Sequence, residues 1–135
     1  MPPAASKEAT KPVGVLVVDD QLVSRHAVRE VIAAASPDFV LLGEASSGEH
    51  AIAAIDDLQP DLVLIDVRMA GMDGIETARH LHASHPEAVV VLVTTEDPLG
   101  LPAEVGFCGA ADVVRKQDMR PTLLRRLWRL HHRHK

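Results

Sequence analysis

Six residues stand where apolar runs of this chain come to an end. Asp19 and Asp20 follow VGVLVV (13–18), and Asp66 follows DLVLI (61–65). Thr94 closes AVVVLVT (88–94) with Thr95 next to it, and Lys116 follows ADVVR (111–115). Three acids brought to one place repel each other unless a cation sits among them, and hard oxygen ligands with room for water suit Mg²⁺. A hydroxyl and an ammonium facing such an ion form a cradle for a phosphoryl group. A carboxylate can itself attack phosphorus and end as an aspartyl phosphate. Asp66, central among these residues, is the expected attacker. Any one of them alone could be no more than a turn or helix cap. The set, spread over four strand ends, carries the reading.

What must position them is a series of strands and helices in alternation. The strands are expected at 13–18, FVLLGEA (39–45), 61–65, 88–94 and 111–115. Between them lie helical patterns: SRHAVREVIAAA (24–35) with Ser24 as N-cap, SGEHAIAAIDDL (47–58) opened by Ser47, and GIETARHLHAS (74–84). Ser and Thr favour the N-cap because the side-chain oxygen accepts from a backbone N–H of the first turn. Gln59-Pro60 and Pro86 mark helix ends. An amphipathic helix from about Arg120 to His132 closes the chain. Near-continuous apolar strands joined by crossovers long enough for helices imply βαβ units and a parallel sheet buried on both faces. Ligands of such sheets bind beyond the carboxyl ends of the strands, where strand order reverses. The charged residues occupy those ends.

The 135 residues suit one domain, with 47% hydrophobic and 24% charged residues, as in ordinary globular chains. No apolar stretch is long enough for a membrane span. The first residues, MPPAASKEATK (1–11), have no apolar core of a signal peptide and read as a disordered lead-in. The single cysteine, Cys108, excludes an internal disulfide and fits a reducing cytoplasm. Net charge is −5, yet six of the 14 Lys and Arg residues fall between Met119 and Lys135, leaving eight against 19 acids elsewhere. That basic end, including a tail at 133–135, reads as a solvated helix face.

These motifs resemble the receiver domain of two-component response regulators. VLVVDDQ is similar to the family's first strand with its acidic pair, and PDLVLIDVRMAGMDGIE to its phosphorylation-site strand and loop. VVVLVTTED resembles the strand bearing the switch hydroxyl, and GAADVVRK the strand bearing the lysine. The resemblance spans the receiver domain expected at 12–132. It implies a flavodoxin-like, doubly wound α/β fold: five parallel strands in the order 2-1-3-4-5 with helices on both faces. It also implies roles. Asp66 is the phosphoacceptor, and Asp19 and Asp20 bind Mg²⁺ with Asp66 and the backbone carbonyl of Arg68. Thr94 supplies the switch hydroxyl, Thr95 a backbone N–H, and Lys116 the ammonium that pairs with the phosphoryl oxygens. The implied function is phosphorelay signalling rather than metabolism, with self-catalysed phosphorylation and slow autodephosphorylation. The phosphodonor is a sensor histidine kinase or a phosphotransfer protein. A homodimer would pair through the face of the fourth helix, fifth strand and last helix. The chain is expected to be either a stand-alone regulator or the receiver part of a longer protein such as a transcriptional regulator, and nucleic acid would be reached only through an output domain outside this sequence.

Four departures from the family pattern bear on the switch. Ala70 stands where a proline usually follows the methionine, and Gln117 where a proline follows the lysine. Val113 replaces the aromatic ring that rotates on activation, and the chain has no tyrosine. Between Thr95 and Gly109, Pro98, Gly100, Pro102 and Gly106 interrupt the family's fourth helix, since proline and glycine are the poorest helix formers. A shortened or mobile helix is expected at about 101–108, with Pro102 in its first position. Arg68 and Glu96 are expected to pair across the site and slow hydrolysis.

Two rival functions are weighed against this one. A pseudo-receiver would keep the site and use an atypical surface for constitutive contact. A phosphatase of the haloacid-dehalogenase type would need two acids two residues apart after strand one, which adjacent Asp19-Asp20 do not provide. The remaining chemistry-capable side chains fit packing. His80, His82 and His85 lie near a helix end, and His131, His132 and His134 lie in the basic tail. Met69 and Met72 pack a loop, and Cys108 is a small buried residue. Leu123, Leu124, Leu127, Trp128 and Leu130 are expected to form the inner face of the last helix, opposite Arg125, Arg126, Arg129 and Arg133.

Overall fold

The computed structural model describes residues 11–132. The lead-in expected at 1–11, Lys11 apart, and the tail at 133–135 lie outside these residues. Five strands form one parallel sheet: β1 (Val13–Val18), β2 (Phe39–Ala45), β3 (Leu62–Asp66), β4 (Val89–Thr94) and β5 (Asp112–Arg115). Their order is β2-β1-β3-β4-β5, as the family resemblance implied. The helices are α1 (Leu22–Ala34), α2 (Gly48–Leu58), α3 (Gly74–Ser84) and α4 (Pro121–His131). None of the described helices is long and apolar enough to cross a membrane.

Side chains alternate along each strand, so a sheet covered on both faces has two cores. Leu16, Val18, Val63, Ile65, Val90 and Leu92 pack with Ala51 and Ile55 of α2 and Ala78 and Leu81 of α3. Val13, Val15, Val17, Leu62, Leu64, Val91 and Val93 pack with Val28 and Ile32 of α1 and Leu124 and Leu127 of α4. β1, β3 and β4 are buried along their whole length, whereas β5, at the sheet edge, is only half-buried. A register shift between β1 and β2 after Val15 inserts one residue in β2.

Local chemistry sets the helix ends. Ser47 caps α2 by accepting from His50 N–H, as expected, and Gln59 ends it in the left-handed region at φ 49°. Asp73 caps α3 by accepting from Glu76 N–H, with Glu76 at the third position completing a capping-box sequence. The expected N-cap at Ser24 is not found. α1 begins two residues earlier, with Gln21 at the cap and no side-chain bond there. The chain turns at this point because Gln21 N–H donates to Asp19 Oδ1, so Ser24 lies inside the first turn.

The helix expected at about 101–108 is indeed shortened, to a 3₁₀ turn rather than an α-helix. Between β4 and β5 the described chain forms only two 3₁₀ turns, Pro98–Gly100 and Ala103–Gly106. Pro102 precedes the second turn as its cap instead of opening an α-helix. Leu101 and Cys108 anchor the segment in the core, while Leu99 and Phe107 stand 94% and 83% exposed. The bond after Lys116 is trans; the cis peptide among the described residues precedes Pro37. On α4, Leu130 faces solvent instead of the core. His131 bonds Asp112, and His132 stacks on Trp128 with ring centroids 4.5 Å apart.

Candidate phosphoryl-transfer site

β1 and β3 are adjacent, and the chain leaves β1 outward to β2 before returning to β3. Their carboxyl ends therefore flank the point where strand order reverses, the usual place for a ligand in this architecture. Asp19 and Asp20 follow β1, and Asp66 ends β3. Carboxylate oxygens of these three residues lie within 4.8 Å of one another. Asp19 and Asp66 are buried, with 3% and 9% exposure, while Asp20 is exposed.

Burial pushes the Asp66 carboxyl up to about 6 from its usual 3.8, and the charge of Asp19 adds to the rise. Lys116 and the backbone N–H of Arg68, which hydrogen-bonds this carboxylate, oppose it, and Asp20 adds a further small rise. The carboxyl is held up first by burial and then by its acidic neighbours, both of which a bound cation would offset. Three hard oxygen donors this close together fit a small divalent cation such as Mg²⁺ better than a soft or transition metal.

Lys116 enters from the end of β5. Its Nζ lies 2.6 Å from Ser24 Oγ, 3.2 Å from Asp19 Oδ2 and 3.7 Å from Asp66 Oδ1. Thr94, 1% exposed at the end of β4, follows Val93, which is paired with Asp66. Its Oγ1 accepts from Glu96 N–H at 2.9 Å, which leaves the hydroxyl proton for donation. Arg68 and Glu96 meet as expected, in a two-pronged contact of 2.8 and 3.1 Å at the surface. Each holds the other charged: Glu96 raises the Arg68 guanidinium, and Arg68 keeps the Glu96 carboxyl below its usual range. Asp20 Oδ2 accepts from Ala70 N–H at 3.0 Å, a donor that a proline in this position would lack.

Two contributions escaped the sequence reading. Ser24 touches Lys116, although the helical pattern offered it only as a cap. Arg25 donates from Nη1 to the Asp19 carbonyl at 2.8 Å and from Nε to Glu44 at 3.1 Å, while Arg29 binds the other Glu44 oxygen at 2.9 Å. This cluster ties α1 and β2 to the end of β1. A charged Glu44 within an apolar strand was the signal that could have located it. Gly74 is also set by the site: a Cβ there would run into the Asp66 backbone oxygen and stand 2.8 Å from Val67 Cα.

Comparison with known proteins bears on this geometry. The family model described as the response regulator receiver domain matches residues 15–127. The chain is 35% identical over 111 residues to the positive alginate biosynthesis regulatory protein of Pseudomonas aeruginosa, covering 81% of this chain and 45% of that protein. To response regulator GacA of Pseudomonas viridiflava it is 39% identical over 104 residues, covering 76% of this chain and 47% of the relative. It thus spans less than half the length of these relatives. Among solved structures, the response regulator domain of Thermotoga maritima CheB superposes with a TM-score of 0.76 at 26% identity, over 87% of this chain and 95% of that one.

Proposed function

This chain belongs to the response regulator receiver domain family, and from that premise we propose that it accepts a phosphoryl group from phosphohistidine onto Asp66. The donor is a histidine kinase or a phosphotransfer protein, and the setting is a cytoplasmic phosphorelay. One observation carries the reading: three carboxylates within 4.8 Å of each other, with the Lys116 ammonium 3.7 Å from the central one.

In this reading an Asp66 carboxylate oxygen attacks phosphorus. An O–P bond forms as the N–P bond to the donor imidazole breaks, and the imidazole departs with the bonding pair and is protonated. Lys116 faces the incoming phosphoryl oxygens, and a cationic donor in that place stabilises phosphoryl transfer. Thr94 O–H and Thr95 N–H are assigned as donors to the same oxygens. Asp19, Asp20, Asp66 and the Arg68 carbonyl would hold Mg²⁺. When bound, that ion supplies charge neutralisation at the acidic cluster and the phosphoryl group. The phosphatase alternative wants its nucleophile at the end of the first strand; here the candidate nucleophile ends β3.

The test is incubation with Mg²⁺ and acetyl phosphate, read by intact mass. One added phosphoryl group, absent in Asp66→Asn, is the expected result. A wild type that gains none overturns the reading and favours a pseudo-receiver.

A further inference from the structure

Lys116 has a weak backbone foundation. It follows β5, the half-buried edge strand of four residues, and opens a 3₁₀ turn with no proline behind it. Its side chain is a flexible stem with a point charge at the end, which only contacts near the tip can fix. The structure gives that tip two close acceptors, Ser24 Oγ at 2.6 Å and Asp19 Oδ2 at 3.2 Å. The contact to the neutral hydroxyl is the shorter of the two. Asp66 Oδ1, at 3.7 Å, is beyond hydrogen-bond reach.

We propose that Ser24 is the positioning residue for Lys116: its hydroxyl docks the ammonium on α1 and aims the remaining N–H at the group carried by Asp66. The proposal rests on the reading of Asp66 as phosphoacceptor and deepens it. The physical case has three parts. An ammonium has three N–H donors and no acceptor. Ser24 and Asp19 engage two, and one is left for a phosphoryl oxygen. Next, the first turn of a helix is electropositive and disfavours a cation. An ammonium beside Leu22–Ala34 therefore needs acceptors there, and Ser24, the third residue of α1, supplies one. Finally, the acceptor is uncharged. A carboxylate in its place would pair with Lys116 and add a fourth acid beside Asp19, Asp20 and Asp66. An apolar side chain would leave that N–H to water, with nothing to fix its direction. A hydroxyl fixes position without adding a further negative charge to the one that Asp19 already brings.

The test uses Ser24→Ala and Ser24→Thr, each alone and combined with Lys116→Met, at saturating Mg²⁺. Alanine is a better helix former than serine, so Ser24→Ala is expected to fold. The initial rate of phosphorylation by acetyl phosphate should fall roughly tenfold in Ser24→Ala, the scale of one charge-assisted hydrogen bond. Ser24→Thr, which keeps the hydroxyl, should restore most of the rate. In the Lys116→Met background Ser24→Ala should cause no further loss, because the two residues act as one unit. A second readout needs no phosphorylation: in the Mg²⁺-free protein, proton exchange at the ¹⁵N-labelled Lys116 ammonium should be slow in wild type and fast in Ser24→Ala. Equal phosphorylation rates in wild type and Ser24→Ala, a full further loss in the Lys116→Met background, or unchanged ammonium exchange would each overturn the role of Ser24 alone. A wild type that gains no phosphoryl group would instead remove the reading of Asp66 on which that role rests.

Discussion

The rim that gathers Asp19, Asp66 and Thr94 adjoins the segment between β4 and β5 along the chain, yet the two are built differently. Each rim residue is the continuation of a strand buried along its whole length. The segment at 98–108 is two 3₁₀ turns held by Leu101 and Cys108, with Leu99 and Phe107 turned to solvent. Buried strands tolerate little displacement because their cores are close-packed. Short turns with few buried contacts open at low free-energy cost. Asp19, Asp66 and Thr94 are thus placed by buried strands, with Arg25 of α1 bracing Asp19 and Ser24 of α1 touching Lys116. The segment at 98–108 is expected to change its structure more readily than that rim.

Asp66, at the centre of the rim, is where a substitution should cost most. Asp66→Asn should abolish phosphorylation by acetyl phosphate entirely, read as added mass. It should also leave the turns untouched, so the circular dichroism spectrum should not change. Retained phosphorylation would mean that another rim acid is the acceptor, and the rim would then be less specific than its geometry suggests.

Gly74→Ala comes next. Its Cβ would meet the Asp66 and Val67 backbone, and backbone there cannot give way as a flexible side chain can. The expected loss is about 2–3 kcal/mol of stability in denaturant unfolding, with slower phosphorylation as β3 shifts. Gly106, in the turns, has open space around the same position. Gly106→Ala should therefore lie within about 0.5 kcal/mol of wild type. Equal losses at the two glycines would erase the contrast between rim and turns.

How much of this was legible in the residues follows the same division. Strands at 13–18 and 39–45 and helices opening after Ser47 and at Gly74 coincide with the structure, because apolar runs and caps are local signals. The four strand-end clusters located the site for the same reason. The cap falls at Gln21 and not at Ser24 because Asp19, five residues before Ser24, turns the chain there through its side chain, a contact no helical pattern records. The Arg25–Glu44 tie joins residues 19 apart in sequence. The prolines and glycines of 98–108 oppose a long helix, but two turns in place of one short helix go with the burial of Leu101 and Cys108, which local residue preferences do not encode.

A smaller effect concerns acidity. In the protein without metal, the folded Asp66 carboxyl titrates at about 6 against 3.8 when unfolded. Between these values the folded state binds more protons, so stability must fall as pH rises through that window and stay reduced above it. The full linkage is about 3 kcal/mol, and partial water access lowers the expected loss to about 1–2 kcal/mol between pH 4 and 7. Unfolding in a chelator should show this fall, Asp66→Asn should lack it, and Mg²⁺ should remove most of it. A flat profile in the wild type would show that the rim charge is already balanced by Lys116.

The smallest effect tests the border between the two regions, where Arg68 and Glu96 meet. The pair lies at the surface, with Arg68 57% and Glu96 40% exposed, so water competes with it and salt screens it. Glu96 follows Thr94 toward the turns, and Arg68 follows Asp66, so the contact spans the mouth of the site. If it obstructs water, Arg68→Ala should shorten the aspartyl-phosphate lifetime by up to about fivefold, the range open to an exposed pair. Raising ionic strength should shorten the wild-type lifetime toward that of the variant. Stability should not change, because no buried group loses a partner. An unchanged lifetime would place the pair with the turns, as surface that the chemistry does not feel. A shortened one would extend the rim outward by one layer and make Glu96 the residue where chemistry and readout touch.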